Sequence, residues 1–175
     1  RNKLEQTVQQ ARAISEEAAR AAVTQLGVGE PAPYKHLSEK ERELRVKLRA
    51  HGRQLGDRLN KEKQAQEITL LVEEVAYQHW HRMLFARFLA ENGLLIYPDP
   101  GVAVPVTLQE CAELAAESHE ARNGWELAAR FAAQMLPQIF RPDSPVFQLN
   151  LPLEHQHKLE RLLEELPEEV FTASD

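Results

Sequence analysis

The chain has 175 residues, 43% of them hydrophobic and 27% charged, which is ordinary for a globular protein and enough for one domain with a real core. It contains no apolar run of eighteen residues and does not start with a signal peptide, so we expect no membrane contact. A single cysteine, Cys111, excludes an internal disulfide and predicts a cytoplasmic protein. The net charge of −6 is uneven: residues 1–63 carry 14 Lys/Arg and 9 Asp/Glu, whereas residues 64–175 carry 7 and 18. The first third could therefore approach phosphate, which the remainder would on average repel.

The first two predicted helices flank a linker rich in helix breakers. The first runs over Asn2–Leu26, with apolar residues at three- and four-residue spacing, and Gly27 is a natural C-cap before "GVGEPAPYKH". The second begins at Ser38, because "SEKE" is a capping box with Glu41 at N3. Its expected buried stripe consists of Leu44, Leu48, Leu55 and Leu59, with Gly52 and Gly56 weakening the helix near its end.

The third predicted helix, Gln66–Asn92, is the most hydrophobic, and Gly93 ends it. The segment "LLIYPDPGVAVPV" that follows excludes a helix, since it holds three prolines and a glycine. Ile96–Tyr97 and Val102–Val106 are short enough and apolar enough to be extended pieces of this segment.

Two further capping boxes, Thr107 with Glu110 and Asn123 with Glu126, open a fourth and a fifth helix. A last helix is expected over Leu151–Leu166. The fold class is therefore all-α, a bundle of about six helices with a Pro/Gly-rich connection in the middle. We interpret 1–175 as one helical domain, an N-terminal fragment of a much longer chain. It divides into a long helix with its linker (1–36), a two-helix core (37–95), a loop (96–106) and C-terminal helices (107–175).

The "HWH" segment, His79 to His81, resembles a metal site at first sight. Residues two apart on a helix point about 200° apart, whereas zinc-binding histidines on helices are spaced three or four apart. His155 and His157 have the same two-residue spacing, so they do not match the spacing of a zinc site either. Cys111 lies on an apolar helix face. The motifs GxSxG, HExxH, CxxC and GxxxxGK[ST] are absent from the sequence. We therefore assign no catalytic, cofactor-binding or metal-binding residue.

The second helix carries a stripe of basic residues. Arg42, Arg45, Arg49 and Arg53 fall within about 80° of one another on a helical wheel, opposite the leucines. On an exposed face they would contact the DNA backbone, although a solvated helix face with acidic neighbours is the other reading. Arg82 and Arg87 lie in the most apolar helix, and we expect ion pairs there with Glu73, Glu74, Glu91 or an acid from another helix.

The segment "HRMLFARFLAENGLL" resembles a helix in the N-terminal region of large bacterial adenine-specific DNA methyltransferases of phage defence, the BREX and DISARM type, which are related to fused restriction-modification enzymes. The segments "WELAARFAAQMLPQIFRPDSPVFQLNL", "LERLLEELPEEVFTASD" and "LSEKERELRVKLRAHGRQLGD" are similar to the flanking parts of that family. The resemblance covers most of Leu37–Asp175 and consists of hydrophobic patterns.

The resemblance implies that the whole protein transfers a methyl group from S-adenosylmethionine to the N6 of adenine. The family's FxGxG-type and NPPY-type motifs are absent here, and "YPDP" at Tyr97–Pro100 lacks the asparagine that would hold a flipped base. This segment would thus be non-catalytic, bracing the methylase part of the chain, docking a defence partner or contacting DNA. The alternatives are a stand-alone helical protein-interaction module and a DNA-binding module.

Overall fold

The computed structural model describes residues 2–119 and 121–172. Its helices are α1 (Asn2–Gln25), α2 (Glu39–Leu55), α3 (Thr69–Glu91), α4 (Leu108–Ser118), α5 (Gly124–Met135), α6 (Pro145–Gln148) and α7 (Leu153–Glu164). The strands β1 (Ile96–Asp99) and β2 (Val102–Pro105) form a hairpin, and a 3-10 turn covers Glu168–Val170. The all-α class is confirmed; the four-residue α6 precedes the predicted last helix. Within the described ranges, no helix combines the length and apolarity that crossing a bilayer requires.

The helix starts follow the capping residues. Ser38 and Thr107 form complete capping boxes with Glu41 and Glu110, as expected. The third predicted box is only half right. The Asn123 side chain accepts from the Glu126 N–H at 3.0 Å, but the Glu126 carboxylate accepts from the backbone N–H of Arg122 at 2.8 Å.

The chain divides into two compact units whose segments alternate along the sequence. The first unit comprises residues 12–79 and 143–159, and the second comprises residues 1–11, 80–142 and 160–175. Helices α1, α3 and α7 each contribute residues to both units. A single domain over 1–175 stays a prediction.

The core of the first unit is built on α1, α2 and the first half of α3. Val23, Val28, Leu48, Leu71 and Val75 are fully buried. The expected leucine stripe of α2 is only partly correct, because Leu48 is buried, Leu44 and Leu59 are half-buried, and Leu55 is exposed.

The second unit has a core formed by the end of α3, by Leu95 and Val106 on either side of the hairpin, and by α4 and α5. Helices α4 and α5 approach closely at Gly124, where a Cβ atom would lie 2.7 Å from the backbone nitrogen and Cα of Ala112. Arg87 is buried and pairs with Glu91 at 3.5 Å, one of the acids we expected. It also donates to the Leu163 carbonyl and lies 4.7 Å from the centre of the Phe171 ring.

The hairpin occupies the segment predicted to be extended, with Tyr97 paired to Val104 and Pro98 paired to Ala103. The Val106 N–H donates to the Leu95 carbonyl, so the ladder bonds alternate and the backbones of Pro98 and Pro105 face outward. Each outer edge therefore carries a residue without an N–H, which disfavours the addition of another strand.

Replacing Gly124 with alanine should destabilise the protein by about 2 kcal/mol, because the new methyl group meets backbone atoms that cannot rotate away. Intrinsic propensity alone predicts the opposite sign, since alanine favours a helix over glycine by about 1 kcal/mol. Urea unfolding measures the difference, with Glu113→Ala on the exposed side of α4 as the neutral control. A stabilised Gly124→Ala variant would refute the close approach of the two helices.

Glu126→Gln should cost about 1 kcal/mol at pH 7, since the carboxylate accepts from Arg122 and Arg130 near the surface. Burial raises the pKa of Glu126, but the hydrogen bonds from Arg122 and the charges of both arginines outweigh burial and hold this pKa below the ordinary 4.5. The stabilisation is therefore complete above pH 4.5 and disappears as the pH falls through the lower folded-state pKa. The free energies of unfolding of the wild type and Glu126→Gln, measured at pH 7, 4 and 3, should converge as the pH falls. A difference that stays constant with pH would contradict the lowered pKa of Glu126.

Candidate functional site

The structure places the four arginines of the stripe in two different environments. Arg45 and Arg49 are buried, with 6% and 8% of their surface exposed, whereas Arg42 and Arg53 are exposed. The expectation of a fully exposed basic face is therefore wrong for Arg45 and Arg49. They share the buried face of α2 with Leu48. We call Arg42, Arg45, Arg49 and Arg53 the arginine column.

The two buried arginines bind the backbone of the linker between α1 and α2. Arg45 donates from Nε to the Gly27 carbonyl at 2.9 Å and from Nη2 to the Glu30 carbonyl at 2.7 Å. Arg49 donates from Nη1 to the carbonyls of Val28 and Glu30, both at 2.7 Å. Its Nη2 donates to the Gln64 carbonyl at 2.8 Å. The Gly27 carbonyl also accepts from the Glu30 N–H at 3.1 Å, whereas the carbonyls of Val28 and Glu30 receive their donors from the guanidinium groups.

The two exposed arginines extend the same pattern at the ends of the column. Arg42 donates to the carbonyls of Tyr34, Lys35 and Leu37, at 3.2 to 3.3 Å. Arg53 donates from Nη1 to the Gln66 side-chain oxygen at 2.9 Å. All four members therefore hold neutral acceptors.

The positive charge of the column is not neutralised by contact with acids. Among the described residues, no carboxylate forms an ion pair with any of the four guanidinium groups. Burial lowers the pKa of Arg45 and the pKa of Arg49, and the charges of neighbouring arginines lower both further. At Arg45 the charge of Glu30 acts in the opposite direction and raises the pKa. Arginine nonetheless stays protonated at neutral pH. The column is a row of like charges that binds neutral acceptors and keeps its charge.

The loop that follows α2, residues 58–67, is fixed by hydrogen bonds of its own. The Asn60 N–H donates to the Ala65 carbonyl at 2.8 Å, and the Asn60 side chain accepts from the N–H groups of Glu62 and Lys63. Gln64 adopts a left-handed conformation with φ 64°, and its carbonyl is the one that Arg49 binds. We call this segment the 58–67 loop.

Two buried polar residues join the 58–67 loop region to the helices. The Asp57 carboxylate accepts from the N–H groups of Leu70 and Leu71, both at 3.0 Å, and so caps the start of α3. The Gln66 side chain donates to the Arg49 carbonyl at 3.0 Å while it accepts from Arg53. Helix α2, the linker and the start of α3 thus share one polar network.

The other candidate groups lie in packing environments. His79 is buried with Nε2 3.0 Å from the Val146 carbonyl, and the His81 ring packs against Phe85 and Phe140. Burial lowers the pKa of His81, and burial raises the pKa of the Cys111 thiol to about 11. Within residues 2–119 and 121–172, no three His, Cys, Asp or Glu side chains lie together as metal ligands would.

Sequence reasoning missed three exposed cations in the segment "DRLNKEKQAQ", which reads as a polar hinge. Arg58, Lys61 and Lys63 are exposed on the 58–67 loop, and their side chains form no ion pair with a described carboxylate. The available signal was Asn60 before two lysines, since asparagine in this position favours a turn. The expectation that helix α2 continues through this segment is therefore wrong, since α2 ends at Leu55, and the polar hinge stays a prediction.

No protein-family model matches the chain, and neither a curated protein nor a solved structure does.

Replacing Arg49 with methionine should destabilise the protein by about 3 kcal/mol, because three carbonyl oxygens lose a charged donor in a buried position. Arg49→Lys should recover little of this loss, since an ammonium group cannot reach all three oxygens in the planar arrangement of a guanidinium. Chemical unfolding measures both. The matched control is Lys47→Met on the same helix, which loses only an exposed ion pair with Glu43 and should change stability by about 0.5 kcal/mol at most. Equal effects of Arg49→Met and Lys47→Met would contradict a structural role for Arg49.

Proposed function

We propose that this chain is the non-catalytic N-terminal helical domain of a site-specific N6-adenine DNA methyltransferase of bacterial phage defence. The observation that carries the proposal is the resemblance of "HRMLFARFLAENGLL" and its flanking segments to that family. The complete enzyme would use S-adenosylmethionine in the cytoplasm and methylate adenine, marking host DNA as self. Its catalytic motifs would lie in another part of the polypeptide.

For this segment we propose a bracing or docking role. Arg42, Arg45 and Arg49 donate to the protein's own backbone, and Arg53 donates to the Gln66 side chain, which supports a rigid scaffold. The rest of the methyltransferase chain would be the principal partner, with another defence protein as a further partner. An acidic remainder, with 18 Asp/Glu against 7 Lys/Arg after residue 63, favours protein contacts over DNA contacts for most of the surface.

A second candidate function, DNA binding by the domain itself, is favoured by one observation. The arginine column carries four charges that no described carboxylate pairs with. Hydrogen bonds to neutral carbonyls leave that charge able to attract phosphate.

The intact mass of the native polypeptide, with peptide sequencing beyond Asp175, tests the proposal directly. We expect a chain several times longer, carrying FxGxG-type and NPPY-type segments. A native chain that ends near Asp175 would contradict the methyltransferase assignment and leave a stand-alone helical module.

Calorimetric titration of the 175-residue chain with S-adenosylmethionine gives an independent check. We expect no heat of binding, because this segment lacks the motif that would hold the cofactor. The complete enzyme, titrated in the same buffer, serves as the positive control. Stoichiometric binding to the 175-residue chain would show that the segment takes part in catalysis.

A further inference from the structure

We propose that the arginine column and the three exposed cations of the 58–67 loop form a surface that binds the phosphate backbone of duplex DNA. In this surface Arg58, Lys61 and Lys63 make the phosphate contacts, and the column behind them supplies additional positive charge. The choice of DNA among polyanions rests on the proposed function.

The local charge balance around residues 27–67 favours an anionic ligand. Residues 27–67 carry ten Lys/Arg and seven Asp/Glu, whereas the remaining residues carry eleven and twenty. Several acids in this segment are already engaged: Glu41 caps α2, Asp57 caps α3, Glu43 pairs with Lys47, and Glu67 accepts from the N–H of Arg58. Asp57 is also buried. The segment nonetheless carries a net charge of +3, against −9 for the remaining residues.

The two groups of cations are joined by hydrogen bonds. Arg49 holds the Gln64 carbonyl at 2.8 Å, one residue after Lys63, and Arg53 holds the Gln66 side chain at 2.9 Å. The 58–67 loop is therefore fastened to the column by two hydrogen bonds. A cation on an ordered loop loses less conformational entropy on binding than one on a mobile segment.

The arginine column extends over the length of several phosphates. Arg42 and Arg53 lie eleven residues apart on α2, a rise of about 16 Å along the helix. One strand of a DNA duplex presents a phosphate about every 3.4 Å along its axis, so the column is as long as roughly five phosphates. Hydrogen bonds to carbonyl groups do not cancel the charge of a guanidinium group. The pKa values of Arg45 and Arg49, in the middle of the column, are lowered by burial and in part by the charges of neighbouring arginines. A phosphate chain near the column would relieve that repulsion.

The exposed side chains can be removed without disturbing the fold. Arg58 and Lys61 contribute backbone atoms to the loop's hydrogen bonds, as does Lys63, but their side chains take part in none of those bonds. The test variant is therefore Arg58→Gln/Lys61→Gln/Lys63→Gln. The matched control is Arg12→Gln/Arg20→Gln/Lys158→Gln, which removes the same charge from exposed positions of α1 and α7 in the same unit.

The measurement is fluorescence anisotropy of a labelled 20-base-pair duplex titrated with the 175-residue chain at several salt concentrations. Three phosphate contacts predict a log–log salt slope of about −2.7, a loss of roughly 40-fold in affinity between about 50 and about 200 mM salt. The triple variant should lose at least tenfold in affinity at low salt and most of the slope, whereas the control variant should change affinity by less than about threefold. Circular dichroism and thermal unfolding verify that the wild type, the triple variant and the control variant are folded. If the triple variant is unfolded, the single variants Lys61→Gln and Lys63→Gln are tested instead. Both must then lower the affinity for the duplex more than Arg20→Gln does.

Three outcomes would overturn the proposal. They are no binding by the wild-type chain at low salt, equal losses in the triple variant and its control, and tighter binding to anionic phospholipid vesicles or to an acidic peptide than to the duplex. None of these outcomes bears on the length of the native polypeptide, so the methyltransferase assignment stands or falls separately.

Discussion

The hydrogen bonds from arginine side chains to backbone carbonyls are the interaction on which the first unit depends. The linker after α1 contains glycine and proline and forms neither helix nor strand, so its carbonyls need donors from elsewhere. Arg45 and Arg49 meet that need from one face of α2, and three of the four carbonyls involved belong to the linker. A leucine at position 49 would remove the donor that binds the carbonyl oxygens of Val28 and Gln64.

This choice of residue determines what packs against α2. An apolar helix face packs on other apolar side chains, whereas this face packs on backbone. Gly52 on the same face leaves room for two polar side chains, since a Cβ atom there would lie 3.1 Å from the Gln66 side-chain nitrogen and 3.2 Å from an Asp57 carboxylate oxygen. The same two side chains bind Arg49 and cap α3, respectively. One network of polar contacts thus sets the position of the linker, the 58–67 loop and the start of α3.

Local features of the chain were predictable, and features that depend on distant partners were not. Ser38 and Thr107 could be identified as helix starts because a capping box acts over three residues, and the Arg87–Glu91 pair follows from i,i+4 spacing. The buried face of α2 was assigned incorrectly because hydrophobic periodicity ranks Leu55 above Arg49 as a core residue. Arg49 is buried through acceptors up to 21 residues away, which periodicity within one helix cannot detect.

In the arginine column, hydrogen bonding of the guanidinium donors and neutralisation of their charge are two separate properties. An arginine stripe suggests either a structural network or a phosphate contact, and satisfied donors are usually taken as evidence for the first. Neutral acceptors satisfy donors but cancel no charge, whereas carboxylates do both. The column is of the neutral kind among the described residues, so its structural role leaves its electrostatic field intact. Bracing the chain and attracting phosphate are therefore compatible roles for the same four side chains, and the exposed cations of the 58–67 loop are where that field would meet a ligand.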